Sequence, residues 1–324
     1  MERLDAFMAR AAAAYYAGGE GIGRDFTTAP EMSQAFGECL GLWAALTWQS
    51  MGAPDRVVLA ELGPGRGTLM ADALRAVDEM VPDFARAAEV HLVETSPALR
   101  TAQAKRLDKR VTAWHTEVGA LPEGPAIILA NEFFDALPIR QFVKRADGWR
   151  ERFVQHGSVV EQATDYLEEA PDDAVREIGE VAQDVVATLA ARLAAQGGAL
   201  LVLDYGPAES GLGDTLQALH NNAVADALRA AGEADITAHV DFATLAATAR
   251  TAGAAAHGPL PMGLFLQRLG LMSRSAMLAQ SAPAAAGLIL SAAQRLVAPE
   301  GMGRLFKALA IAHPALSTPI GFEA

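Results

Sequence analysis

Acidic side chains follow two apolar runs of the chain, at the points where β-strands would end. Glu61 comes directly after Val57–Ala60 and precedes the glycine-rich turn Gly63-Pro64-Gly65-Arg66-Gly67. Such a turn between a strand and a helix exposes backbone N–H donors and lets a ligand approach the backbone closely. In an open parallel sheet the ligand lies beyond the carboxyl ends of the strands. Gly63, Pro64 and Gly65 are therefore predicted to hold a ligand.

Two carboxylates narrow the chemistry of that ligand. Glu61 suits a cationic or amino-bearing group better than a pyrophosphate. Glu94 ends the next apolar run, 90–93, where it is placed to accept hydrogen bonds from ribose hydroxyls. The alternative is that Glu94 simply leaves a strand into solvent. Together the two residues fit S-adenosylmethionine, an adenosyl ligand with an amino-acid tail, at least as well as NAD.

More polar groups follow two later strands. The apolar run 126–130 leads into Asn131, Glu132 and Asp135, with Phe133 and Phe134 between the carboxylates as a predicted pocket wall. The alternative is a helix amino terminus decorated with acids that favour its dipole.

Asp204 ends the run 199–203, and a polar, glycine-dotted segment then leads to His239 and Asp241. His239 is either a structural histidine or a site residue. Asp241 is also a plausible helix cap.

The spacing of the apolar residues predicts strands that alternate with helices, and this alternation indicates parallel βαβ units in an α/β fold. A hairpin is predicted at 141–154, around Ala146-Asp147-Gly148. Thr28 is predicted to cap a helix over 31–50, with Glu31 completing a capping box. Strands are predicted at 57–62, 90–94, 111–114, 126–130, 199–203 and 304–311, and further helices at 1–17, 174–195 and 260–298.

Composition excludes several classes of protein. The chain has 324 residues, so it can form one domain with insertions or two domains, and no apolar run is long enough to span a membrane. The net charge is −13 and Lys/Arg residues do not cluster, which argues against nucleic-acid binding and suits a cationic substrate. The single cysteine, Cys39, excludes an intramolecular disulfide framework and suits a reducing cytoplasm. The amino terminus lacks an export signal.

Five motifs of the chain, in their order along the sequence, resemble those of the MidA-like methyltransferases. This family includes the mitochondrial complex I assembly factor that methylates an arginine. The resemblance runs from about Tyr15 to about Ile311. The segment 25–31 matches as well, although Arg24 stands where the family usually has glycine. The motifs are Glu61–Thr68, Val93–Pro97, Asn131–Pro138, Asp204–Gly206 and His239–Phe242.

The resemblance implies a Rossmann-like seven-stranded S-adenosylmethionine methyltransferase sheet with a mainly helical inserted substrate cap. Residues 1–50 would form a helical arm and lid. Residues 51–324 would form the methyltransferase domain, with cap insertions at about 141–197 and 207–300. Thr28, Pro30, Thr95 and Asn131 would join Glu61, Gly63, Pro64, Gly65 and Glu94 at the cofactor.

The implied substrate is a protein arginine, with the 49-kDa-type subunit of NADH:quinone oxidoreductase as a candidate and the bacterial cytoplasm as the expected location. A homodimer is left open. A guanidinium stays protonated in water, with a pKa of about 12.5–13.8, and carboxylates that grip it can orient it for methyl transfer. Glu132 and Asp135 are the first candidates for that grip, and Asp204, His239 and Asp241 are the second.

Two competing functions stay open at this point. An NAD-dependent oxidoreductase would use a related sheet, but the glycine turn lacks the usual dinucleotide spacing. A non-catalytic assembly chaperone that retains cofactor binding is the other alternative, because intact motifs do not establish turnover.

Overall fold

The structure is a computed structural model that describes residues 1–17, 28–221, 223–229 and 231–323. Its first half contains strand β1 (Glu2–Arg3), helices α1 (Leu4–Ala17), α2 (Ala29–Met32) and α3 (Gln34–Ser50), strand β2 (Val57–Leu62), helices α4 (Thr68–Met80) and α5 (Pro82–Ala87), strand β3 (Ala88–Val93), helix α6 (Pro97–Leu107), and strands β4 (Val111–His115) and β5 (Ala126–Asn131).

The second half begins with strands β6 (Arg140–Arg145), β7 (Gly148–Gln155), β8 (Ser158–Ala163) and β9 (Val175–Ile178), followed by helix α7 (Glu180–Gln196) and strand β10 (Gly198–Tyr205). Strands β11 (Gln217–His220), β12 (Ala223–Ala225) and β13 (Asp235–Thr237) lead to helix α8 (Phe242–Thr251) and strand β14 (Ala255–Pro261). Helices α9 (Met262–Arg268), α10 (Leu271–Ser281) and α11 (Ala286–Val297) precede strand β15 (Phe306–Ala312).

The central sheet has seven strands in the order β14-β15-β10-β5-β2-β3-β4, which confirms the predicted α/β fold. The five strands from β10 to β4 are parallel, and β15 runs antiparallel to both of its neighbours. Every residue of β2 and β5 is buried, because helices cover both faces of the sheet. Helices α3, α4, α9 and α11 pack on one face, and α7 and α8 pack on the other.

Two smaller sheets lie outside this core. The strands β1, β7, β6 and β9 form one sheet with β8 added on β7, and β12, β11 and β13 form the other. The predicted hairpin is present as β6 and β7. The inserted regions are less helical than the mainly helical cap that was predicted. The segment between β5 and α7 is built of strands, and the helices α9 and α11 pack on the central sheet together with α3.

The predicted helix over 174–195 is wrong at its first turn. Residues Val175–Ile178 form β9, which pairs antiparallel with β6, and the helix begins at Glu180. The prediction failed because a short strand can be satisfied by a distant partner strand that local periodicity does not reveal.

The segment before α3 also differs from the prediction. The helix breaks at Ser33 into α2 and α3. Thr28 makes no side-chain cap bond, and the carboxylate of Glu31 instead accepts a hydrogen bond of 2.5 Å from the hydroxyl of Thr68. The predicted capping box is therefore wrong, because Glu31 bonds to a residue on α4. In contrast, Ser96 does cap α6, because its hydroxyl oxygen accepts from the N–H of Leu99 at 3.3 Å.

Cys39 lies on α3 and is buried in the hydrophobic core, and burial raises the pKa of its thiol to about 12. A buried thiol with a raised pKa is a structural group and not a nucleophile. Within the described residues, no helix combines the length and apolarity that a membrane crossing requires.

Candidate active site

A cavity of about 590 Å³, called the first cavity here, lies beyond the carboxyl ends of β2, β3 and β5. The structure brings all nine predicted cofactor-binding residues to this cavity, where Glu132 joins them. The nine are Thr28, Pro30, Glu61, Gly63, Pro64, Gly65, Glu94, Thr95 and Asn131. Arg24 and residues 25–27 of the matching segment 25–31 lie outside the described residues.

The glycine turn forms the floor of this cavity. Gly63 and Gly65 have φ values of +59° and +54°, a left-handed conformation that side chains disfavour. The N–H of Gly63 donates to the carbonyl of Val93 at 3.0 Å, which ties the turn to β3. A Cβ atom on Gly63 would lie 3.0 Å from the ring of Phe133, so the turn also packs tightly against the segment after β5.

Two buried oxygens on the wall of the first cavity lack a hydrogen-bond partner among the described residues. Glu61 is only 3% exposed, and its Oε2 accepts no hydrogen bond. The side-chain oxygen of Asn131 is likewise buried and unpaired. Burial raises the pKa of Glu61 to about 8. Unsatisfied buried acceptors are costly, so this wall is suited to a ligand that brings N–H or O–H donors, and an ammonium group is such a donor.

Glu94 lies on the opposite side of the glycine turn. One of its oxygens accepts from the N–H of Ser96 at 2.8 Å and the other from the side-chain amide of Gln103 at 3.2 Å. The same amide donates to the carbonyl of Gly65 at 2.8 Å, and the indole of Trp114 holds Gln103 from behind. Gln103 therefore sets the distance between the glycine turn and Glu94. Its position in the middle of α6 gave no sequence signal for this role.

Helix α1 forms a wall of the cavity that the sequence analysis did not predict. Ala9, Ala12, Ala13 and Tyr16 line it, so small side chains let the helix lie close. The carbonyl of Tyr16 accepts from the hydroxyl of Ser96 at 2.6 Å, and its own hydroxyl donates to Asp235 at 2.8 Å. These bonds fix α1 between α6 and β13.

Glu132 stands at the exit of β5 with φ of +50°, an uncommon conformation for a residue with a side chain. Its Oε1 accepts from the amide of Asn131 at 3.0 Å and from the N–H of Ala29 at 3.1 Å. Burial raises the pKa of Glu132 to about 7. The carboxylate therefore links α2 to the strand tip and titrates near neutrality. Backbone strain of this kind concentrates at functional sites.

Asp135 and Asp204 lie behind Glu132. Asp135 is 7% exposed and its Oδ1 lacks a partner. Burial and the nearby carboxylates of Asp204, Asp235 and Glu132 raise its pKa well above the usual range.

Asp204 is 0% exposed and has a different role from the one predicted. Its Oδ2 accepts from the backbone N–H groups of Phe133, Phe134 and Asp135 at 3.1, 2.9 and 3.3 Å. Asp204 therefore shapes the turn after β5. In this arrangement its carboxylate is directed at the backbone and not at a substrate guanidinium.

His239 and Asp241 lie apart from the first cavity. They line a second cavity of about 1010 Å³, and Leu137 is a wall residue of both cavities. Asp241 caps α8 through the N–H of Thr244 at 2.9 Å and accepts from the hydroxyl of Ser210 at 2.8 Å. Burial lowers the pKa of His239. Of the predicted catalytic residues, Glu132 thus lines the first cavity, His239 and Asp241 line the second, and Asp135 is in the lining of neither.

This combination of a seven-stranded sheet with one antiparallel strand, a glycine turn after β2 and carboxylates at the strand ends defines the class of S-adenosylmethionine-dependent methyltransferases. Comparisons with known proteins lead to the same class. Residues 39–260 match a family described as S-adenosyl-L-methionine-dependent methyltransferases, and the chain belongs to this family.

Relatives and solved structures extend the comparison. The mitochondrial protein arginine methyltransferase NDUFAF7 of Mus musculus is 35% identical over 96% of this chain and 80% of its own length. The Homo sapiens protein of the same name is 34% identical, over 89% of this chain and 73% of its own. A crystal structure from Burkholderia thailandensis, bound to S-adenosyl-homocysteine, superposes with a TM-score of 0.85 at 25% identity and covers 99% of this chain and 90% of that one.

The chain is therefore a methyltransferase that uses S-adenosylmethionine, and the NAD-dependent alternative is wrong. The residues of the first cavity fit this cofactor, because the unpaired oxygens of Glu61 and Asn131 match a ligand with an ammonium group, and Glu94 lies where ribose hydroxyls are bound in such sheets. When bound, the cofactor supplies a methyl group on a positively charged sulfur.

Proposed function

We propose that the chain methylates an arginine side chain of a protein. Two relatives that match most of the chain bear the name of protein arginine methyltransferases. The observation that carries the proposal is a pair of carboxylates at the exit of β5: the partly buried Glu132, which lines the first cavity, and the buried Asp135, which lies behind it. Such a pair is suited to a cationic substrate group.

The electrostatics of the pair support this assignment. Burial keeps the pKa of both carboxyl groups above the usual range. A guanidinium placed between them would favour their charged forms and lower both pKa values. Its positive charge would in turn be localised by the carboxylates, and its repulsion from the sulfonium would be reduced.

Glu132 has a second role in the proposal. As the new nitrogen–carbon bond forms, the carbon–sulfur bond breaks and its electron pair stays on sulfur. The methylated nitrogen then carries one proton more than it does in the methylguanidinium product, which keeps a single positive charge. Glu132, with a pKa of about 7, is suited to accept that proton directly or through water.

The candidate substrate is the 49-kDa-type subunit of NADH:quinone oxidoreductase, and the proposed site of the reaction is the bacterial cytoplasm. The proposed cap comprises the insertions at about 141–197 and 207–300, and residues 1–50 act as arm and lid. His239 and Asp241 contact the substrate from the second cavity in this scheme.

The test is co-expression of the chain with a bacterial 49-kDa-type subunit, followed by mass spectrometry of arginine methylation on that subunit. Glu132→Gln retains size and removes charge, so we expect transfer to fall by about a hundredfold or more with near-normal cofactor affinity. The matched control is Glu123→Gln, an exposed residue before the amino end of β5, which should leave transfer unchanged.

Two outcomes would overturn the proposal. Wild-type transfer by Glu132→Gln would remove Glu132 from the reaction. Full maturation of the partner by a Glu132→Gln variant that leaves no methyl mark would favour the assembly chaperone that retains cofactor binding.

A further inference from the structure

The second cavity lies next to the first and is larger. It is bounded by the turn after β5, by β9, by the segment 206–215 after β10, and by the start of β15. Leu137 borders both cavities, so a chain that crosses this residue would enter one cavity from the other. Residues that flank an arginine bound in the first cavity would therefore lie in the second cavity.

The acidic residues of the second cavity are all engaged within the protein. Each accepts hydrogen bonds from two side-chain or backbone donors in the wall, so none is left over for a ligand cation. Glu168 accepts from Arg176 Nε at 2.9 Å and the Tyr166 hydroxyl at 2.7 Å, Glu177 from the Gln141 amide at 2.7 Å and Thr215 N at 3.0 Å, and Asp241 from Thr244 N and the Ser210 hydroxyl.

Two basic groups of the same cavity, Lys307 and Arg304, have no carboxylate partner among the described residues, whereas Arg176 is paired with Glu168. The ammonium of Lys307 donates to the carbonyls of Arg304 and Leu305 at 2.7 and 3.0 Å. Neither Lys307 nor Arg304 forms an ion pair with any carboxylate in the part of the chain that the structure describes. His239 lines the same cavity, and burial together with Lys307 lowers the pKa of its imidazole.

Lys307 and Arg304 therefore bring two positive charges to one cavity of a chain whose net charge is −13. An acidic protein surface repels other acidic groups, so a local positive site is needed wherever an anionic side chain is to be accepted. A half-buried ammonium without a carboxylate is suited to that purpose, because ion pairs gain strength when water is partly excluded.

We propose that the second cavity binds an acidic side chain that flanks the target arginine in the substrate, with Lys307 and Arg304 as its cationic contacts and His239 as a neutral hydrogen-bond donor. The inference rests on the proposed function and names its substrate class: a protein segment with an arginine and a nearby Asp or Glu. The first cavity would then select for positive charge and the second for negative charge.

The test uses two synthetic peptide libraries with a fixed central arginine, one with Glu and the other with Gln at each flanking position. Methylation by the full-length protein is measured with labelled S-adenosylmethionine. Binding of the same peptides is measured separately by fluorescence anisotropy with S-adenosyl-homocysteine present. We expect Glu at one flanking position to lower KM about tenfold relative to Gln.

Lys307→Met should remove that preference by raising KM for the Glu peptide about tenfold, with little change in kcat or in KM for the Gln peptide. A loss of structure would affect both peptides equally. Lys307→Arg keeps the charge and should retain the preference. The matched control is Arg295→Gln, an exposed residue of α11 outside the cavity lining, which should behave like the wild type.

The outcomes separate this inference from the proposed function. Arginine methylation without an acidic preference, or with one that Lys307→Met retains, overturns the inference and leaves the proposed function standing. If no peptide is methylated, the anisotropy measurements of peptide binding decide whether the inference stands. If Glu peptides bind preferentially and Lys307→Met abolishes this preference, the site for an acidic side chain is supported although the proposed function fails. Equal binding of Glu and Gln peptides overturns the inference.

Discussion

The first and second cavities share Leu137 as a wall residue and differ in which of their charged groups have partners. In the first, Glu61 has an unpaired buried oxygen and Asp135 has another just behind the wall. In the second, the carboxylates are hydrogen-bonded, and Lys307 has no carboxylate partner within the described part of the chain. The local charge that lacks a partner, rather than the net charge, indicates which ligand each cavity is suited to bind.

The difference has a structural origin. The first cavity lies where the buried parallel strands end, and the carboxylates at the ends of β2 and β3, Glu61 and Glu94, are buried there. The second is lined mostly by inserted segments and by the edge of the sheet, where arginines and backbone amides are available to pair with acids. Loss of hydration therefore dominates the electrostatics of the buried carboxylates in the first cavity. Hydrogen bonds and ion pairs within the protein dominate the electrostatics of those in the second.

The largest effect is expected from Gly65→Val, which places a side chain in the first cavity at a φ of +54°. Cofactor affinity should fall by more than a hundredfold, because the side chain both strains the turn and blocks the ligand's approach. Isothermal calorimetry measures the affinity. Gly52→Val, at a φ of +85° with no atom nearby, controls for strain alone. A folded Gly65→Val protein with wild-type affinity would remove the turn from the site.

Asp204→Asn should disturb both cavities, since Asp204 holds the turn that separates them through three backbone N–H groups. We expect the free energy of unfolding to fall by about 2 kcal/mol, the scale of losing charge-assisted hydrogen bonds to a buried carboxylate. Denaturant titration measures it. Asp241→Asn keeps a good helix cap and should change stability little. Equal stability of the two variants would contradict the structural role of Asp204.

The fold was predictable where burial on both faces produces continuous apolar runs, as in β2 and β5. It was less predictable in the insertions. Strand β9 contains Arg176 and Glu177, whose partners lie on distant segments, so no local pattern marks it as a strand. The same limitation affected Glu31, whose partner Thr68 lies on another helix.

The first cavity could be predicted in part for a related reason. Glu61 and Glu94 are recognisable because polar residues at strand ends converge at one edge of a parallel sheet. Gln103 and the alanines of α1 reach the cavity only through helix packing, which single-sequence patterns do not specify. Asp204 also stands at a strand end, and only the structure distinguishes a carboxylate that faces backbone N–H groups from one that faces a ligand.

Cofactor affinity should depend on pH through Glu61. Its pKa of about 8 in the free protein means that the carboxyl is protonated at lower pH and must lose a proton to pair with an ammonium. Affinity should therefore rise with pH, by up to about tenfold per unit below pH 8, and level off above it. Calorimetry from pH 6 to 9 would show this slope. In Glu61→Gln the slope should disappear, whereas Glu123→Gln should retain it.

The smallest effect concerns stability without ligand. The pKa of Glu61 is higher in the folded protein than its ordinary value of 4.5, so the folded state binds more protons and loses stability as pH rises from about 5 to 8. Glu61→Gln has no charge to bury. Its free energy of unfolding should therefore exceed that of the wild type by at least about 1 kcal/mol at pH 8 and be close to that of the wild type at pH 5. Chemical denaturation at the two pH values measures the difference. A variant that binds the cofactor poorly but is more stable without it would show that Glu61 is retained for the ligand; a variant less stable at pH 8 would show that the carboxylate already has a stabilising contact in the free protein.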